Sequence, residues 1–186
     1  MIKDRIILGI DPGTQLLGFG IVRVDGAGKP HYVDMGVVDL RREGDPYAKL
    51  ARISEEVAAL CERHAPTDLA IESPFYGRNA QVIFKLGRAQ GAAIAVAAAR
   101  GIPVAEYAPR KAKMAICGNG AASKEQVSLM VGKTLGVALE PRFLDATDAL
   151  ALAMCHYYQL SSPLASGGSS GSWEKFVAEN PGRIKP

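Results

Sequence analysis

Four acidic residues stand apart from the other acids of the chain because apolar or small residues surround them. Asp11 ends the run Ile6-Ile7-Leu8-Gly9-Ile10, and Glu72 ends Leu69-Ala70-Ile71. Asp145 and Asp148 open a stretch that continues as Ala149-Leu150-Ala151-Leu152. An ionised carboxylate at the edge of an apolar core is costly unless it is paired or bound to a metal. On a helix, residues three apart such as Asp145 and Asp148 share a face, with Cβ atoms about 5–6 Å apart. Gathered with Asp11 and Glu72, they would form a cluster that cannot stay fully ionised without cations. An all-oxygen ligand set suits magnesium or manganese better than zinc. Two such ions about 3.5–4 Å apart can activate a water and stabilise a leaving 3′-oxygen in phosphodiester hydrolysis. Each acid alone has a blander reading: Asp11 as a turn residue before Pro12-Gly13, Glu72 as a strand end, Asp145 as a favourable charge at a helix N-terminus. Only the set points to chemistry. His156, eleven residues beyond Asp145, falls about 16 Å further along the helix axis and is not expected to help.

These acids need a frame. Short apolar runs at 5–10, 19–24 and 32–40 read as three strands joined by few residues, which favours antiparallel hairpins. Pro46 opens an amphipathic helix with Leu50, Ile53, Val57, Leu60 and Cys61 on one side, closed by Ala65-Pro66. A strand at 68–72, an Ala-rich helix at about 79–100 and a strand at 103–107 follow. Basic Arg110-Lys111-Ala112-Lys113 precedes the turn Gly118-Asn119-Gly120. Ser123-Lys124-Glu125-Gln126 has the form of a capping box opening a further helix, and a last long helix is expected over about 143–158. The order predicts an α/β protein with a mixed five-stranded sheet flanked by helices, in the RNase H-like topology.

At 186 residues, 48% of them hydrophobic, the chain fits one domain with a sizeable core. Residues 1–160 are read as that domain and 161–186, rich in Gly and Ser, as a flexible tail in which Trp173, Phe176 and Val177 could form a short docking helix. A net charge of +3 permits nucleic-acid binding without demanding it. Cys61, Cys117 and Cys155 are odd in number and widely spaced, as suits free thiols rather than a zinc or redox site. No apolar run approaches the roughly 18 residues needed to span a bilayer, and no signal-peptide pattern opens the chain. A cytoplasmic protein with no membrane partner is the expectation.

The motif Ile7-Leu8-Gly9-Ile10-Asp11-Pro12-Gly13 resembles the first-strand motif of the RuvC family of Holliday junction resolvases. Ala70-Ile71-Glu72-Ser73-Pro74-Phe75, Lys85-Leu86-Gly87-Arg88-Ala89-Gln90-Gly91 and Asp145-Ala146-Thr147-Asp148-Ala149-Leu150-Ala151 resemble others, over roughly residues 5–158. The resemblance implies that Asp11, Glu72, Asp145 and Asp148 are catalytic acids binding two magnesium ions per site, with manganese substituting. It implies a homodimer that nicks two strands of like polarity in a four-way DNA junction, beside the RuvA–RuvB branch-migration complex. It makes Phe75 the aromatic that stacks on an exposed base, and places Lys113 and Lys124 at positions of DNA-contacting lysines. Arg78, Arg110 and Lys111 could extend that phosphate-binding face. The Ala-rich helix is a candidate dimer surface, and packing only on the sheet is an equal alternative. Ser73-Pro74 departs from the glutamine and apolar residue that many members carry after the acid.

Three other readings compete. Asp11-Pro12-Gly13-Thr14 also matches the first phosphate loop of sugar kinases, actin and heat-shock chaperones, but those use two such domains and no second phosphate loop is evident. A nuclease for RNA–DNA hybrids or a YqgF-type relative is disfavoured by Phe75 and the Asp145/Asp148 pair. A DNA-binding module without catalysis gives no reason for four acids at the edge of a core.

Overall fold

The computed structural model describes residues 4–74, 79–139 and 144–161. Five strands, β1 (Arg5–Asp11), β2 (Leu16–Val24), β3 (Pro30–Asp39), β4 (Asp68–Glu72) and β5 (Val104–Tyr107), form one sheet in the order β3-β2-β1-β4-β5. The first three pair antiparallel, and β4 and β5 add on parallel to β1. This is the mixed, RNase H-like sheet that the order of elements predicts. The helices are α1 (Pro46–His64), α2 (Ala80–Ala99), α3 (Pro109–Cys117), α4 (Lys124–Leu135) and α5 (Leu144–Ser161).

Alternation along the strands divides the core into two layers. Leu8, Ile10, Leu17, Ile21, Leu69 and Ile71 pack with Ile53 and Val57 of α1 and with Ala89 and Ala93 of α2. On the opposite face Ile7, Val22, Val24 and Ala70 pack with Val127 and Val131 of α4 and with Leu150 to Cys155 of α5. Helix α5 is buried through its central stretch from Ala149 to His156, consistent with the apolar run there, while Asp145 and Asp148 sit at its N-terminal end. Asp45 caps α1 by accepting from the backbone N–H groups of Tyr47 and Ala48, and Ser123 with Gln126 closes the capping box of α4.

Two elements differ from the sequence expectation. Strand β2 begins at Leu16, not Phe19, so Gly18 lies inside it. The basic segment after Tyr107 is helical: α3 starts with Pro109 at its first turn and ends at Gly118 in the left-handed region. By length and composition alone α2 could cross a membrane, although Lys85 and Arg88 interrupt its apolar run. Here it lies against α1 and the sheet, burying Ala89, Gln90, Ala93 and Ala97. All three cysteines are free thiols, with Cys61 and Cys155 buried and Cys117 half-buried.

Candidate active site

Parallel pairing of Ile10 with Ile71 brings Asp11 and Glu72, the next residue of each strand, to the same end of adjacent strands. The partner of Asp11 across the antiparallel pair is Gly18, and that of Gly9 is Gly20. A Cβ on Gly9 would stand 2.0 Å from the carbonyl oxygen of Ala149, and one on Gly18 would stand 2.1 Å from that of Asp145. Without side chains at these positions, α5 rests directly on the sheet backbone. That contact carries the first turns of α5 to the sheet rim and delivers Asp145 and Asp148 to Asp11.

Asp11, Asp145 and Asp148 each offer a carboxylate oxygen, and these oxygens lie within 4.8 Å of one another. Glu72 shares their cavity of about 430 Å³, which Lys113 and Lys124 also line. It stands outside the tight group of three, yet its charge reaches Asp11. Gln90 holds the end of β4 by donating to the backbone carbonyl of Glu72 at 3.2 Å and to Glu106 at 2.7 Å. Ser73 continues the tie, its N–H donating to the carbonyl of Tyr107 at 3.0 Å. The residue-type pattern pointed to the four acids, but not to Gln90, whose side-chain amide ties the Glu72 carbonyl to Glu106, or to the two seat glycines, which act through backbone contacts.

Lys124 sits among the acids. Its ammonium is 3.0 Å from Asp145 Oδ1 and 2.7 Å from Asp148 Oδ2. Burial opposes its charge, but hydrogen bonds to Asp148 and Asp145 outweigh that and raise its pKa above the ordinary lysine value. Burial raises the Asp148 carboxyl, and its bond to Lys124 pulls the other way. For Asp11 burial comes first, reinforced by Glu72, Asp148 and Asp145, and the group is pushed up to about 8. The oxygen-only donor set, crowded and short of positive charge, fits a hard divalent ion.

Of the other basic residues singled out, Arg110 borders a second hollow beside Glu72, Ser73 and Pro74, which Lys113 also lines. The ammonium of Lys111 lies 5.1 Å from the centre of the Tyr107 ring, stacked on protein. Phe75 and Arg78 lie outside the described residues. His156 is engaged elsewhere, bonded through Nδ1 to the Tyr107 hydroxyl at 2.7 Å and facing Asp68 at 3.5 Å.

An RNase H-like sheet with acids from two parallel strand ends and one overlying helix defines a class of protein, that of the carboxylate-centred nucleases of this fold. The family profile described as crossover junction endodeoxyribonuclease RuvC matches residues 7–156. The chain is 52% identical to the crossover junction endodeoxyribonuclease RuvC of Bacteroides fragilis, over 99% of this chain and 98% of that protein. It is 46% identical to that of Porphyromonas gingivalis, over 98% of each. Among solved structures, Thermus thermophilus RuvC in complex with its Holliday junction substrate superposes with a TM-score of 0.77 at 35% identity, covering 88% of this chain and 96% of that one. The chain belongs to the RuvC family.

Proposed function

We propose that this chain is a crossover junction endodeoxyribonuclease that resolves Holliday junctions by paired, symmetric nicks in strands of like polarity, in recombination and repair. The observation that carries the reading is the convergence of Asp11, Asp145 and Asp148 within 4.8 Å, on a rim shared with Glu72. These four residues would hold magnesium, two ions per site, with manganese able to substitute. When bound there, such ions supply an activated water and neutralise charge at the scissile phosphate. The chain's own groups bind and orient the strand. Lys113 and Lys124 line the cavity and draw phosphate toward the acids, and Arg110 extends the positive wall. Phe75, following Ser73-Pro74, stacks on an unpaired base at the branch point, and Arg78 holds the adjoining backbone. Lys111, stacked on Tyr107, takes at most a peripheral part.

A two-fold junction calls for two sites, hence a homodimer. Its surface is α2, where Phe84 is 72% exposed and Val82 is also exposed. Residues 1–160 carry the reaction, and 161–186 are an appendage to it. The protein works in the cytoplasm on DNA delivered by the RuvA–RuvB complex. The deciding experiment offers a synthetic four-way junction, a linear duplex and an RNA–DNA hybrid, each with magnesium. Symmetric cutting of the junction alone is expected. Preferential cutting of the hybrid would favour the other nuclease reading, and ATP turnover without nicking would favour a kinase-like domain.

A further inference from the structure

The two oxygens that hold Lys124 belong to carboxylates that a divalent ion would need. Magnesium demands oxygen ligands at about 2.0–2.1 Å in near-octahedral array. An ammonium has no lone pair and cannot join that array. With its nitrogen 2.7 Å from Asp148 and 3.0 Å from Asp145, it would also be pressed against a doubly charged ion. One of the two cations has to yield.

We propose that Lys124 is a resident counter-cation that trades places with the divalent ion. It holds Asp145 and Asp148 apart from mutual repulsion before the ion arrives, and swings out toward substrate phosphate when the ion binds. This deepens the metal-centre reading above and rests on it. The hinge is built for the motion. The capping box between Ser123 and Gln126 fixes the Lys124 backbone at the first position of α4. The side chain, 45% exposed, lines the cavity and has a flexible four-carbon stem. The incoming ion takes over the neutralisation that the ammonium supplied and adds one positive charge more, which the neighbouring Asp11 carboxyl and Glu72 can balance. Linkage then requires reciprocity: phosphate that attracts Lys124 uncovers the acids, so DNA and metal strengthen each other's binding.

The test is calorimetric titration of manganese into the DNA-free full-length protein, as wild type, Lys124→Met and Lys113→Met. Lys124→Met should bind manganese at least about five-fold more tightly, the lower end of ordinary coupling between sites. Lys113→Met, which removes a nearby charge without vacating the ligand oxygens, should tighten binding less. In the wild type, acylation of Lys124 by an amine reagent, read by mass spectrometry, should rise when manganese is added. Unchanged or weaker affinity in Lys124→Met would overturn the exchange, as would equal tightening in Lys113→Met or labelling indifferent to the ion. Absence of manganese binding to all three proteins would remove the metal centre itself, and the exchange with it.

Discussion

Burial and three neighbouring carboxylates push the Asp11 carboxyl up to about 8, although Lys124 pulls against them. In the unfolded chain the same group titrates near its ordinary value of 3.8. Between those values the metal-free native protein keeps a proton that the unfolded chain has released, so stability from this group falls as pH rises through the window. Asp11→Asn supplies a permanently neutral side chain of similar shape. Melting in the presence of a chelator should therefore show a Tm for Asp11→Asn that exceeds the wild type at about pH 8 and converges with it near pH 4. The same substitution should abolish cleavage and leave junction binding intact or tighter, because less negative charge faces phosphate. Binding lost together with cleavage would count against a metal role. Phe75→Ala should slow resolution more than it weakens binding, since one stacked base contributes about 1–3 kcal/mol. An unchanged cutting rate would assign Phe75 to packing. The acids were legible in the sequence because apolar neighbours made each of them conspicuous. The Lys124 contacts were not, since a charged residue at the start of a helix looks solvated until α4 is set beside α5.

Helix α5 is where sequence and geometry part company most usefully. Gly18 weakens the strand pattern, so the strand is expected only from Phe19, yet that glycine is the seat on which Asp145 rests. A glycine that looks like a strand breaker can mark the close approach of another backbone, and only the packed structure distinguishes the two. Helix α3 escaped notice for a different reason. It has nine residues, buries only Ala112 and lacks a side-chain cap, and its end signals, Pro109 in the first turn and Gly118 at the close, also suit a loop. Gly18→Ala tests the seat. The added methyl must displace the Asp145 carbonyl, at a cost of about 1–3 kcal/mol as for other overpacked sites. Denaturant unfolding should register that loss, and cleavage should fall further than junction binding because the carboxylates are shifted. Full activity with unchanged stability would show that α5 can lift without consequence.

Across the whole molecule, the mixed five-stranded sheet and its antiparallel first three strands were readable from the order of elements and the short connections, whereas the parallel seating of β4 on β1 and β5 on β4 depends on long crossovers that no local signal marks. The exposed apolar side chains of α2 supply the test for pairing: Phe84→Asp should shift the sedimentation profile toward monomer and abolish the coupling between the two nicks, while single nicks persist. A dimer that survives this change would place the interface elsewhere. The burial of α5 has a kinetic consequence of its own. Its N-terminal turn bears the acids, its middle is enclosed by the sheet and α4, and near its far end the Tyr157 hydroxyl donates to the carbonyl of Gly28 at 2.9 Å. Amide protons from 149 to 156 should exchange with deuterium only through global opening. Heat inactivation should then coincide with complete unfolding, with no temperature range in which the protein stays folded while its carboxylates drift apart.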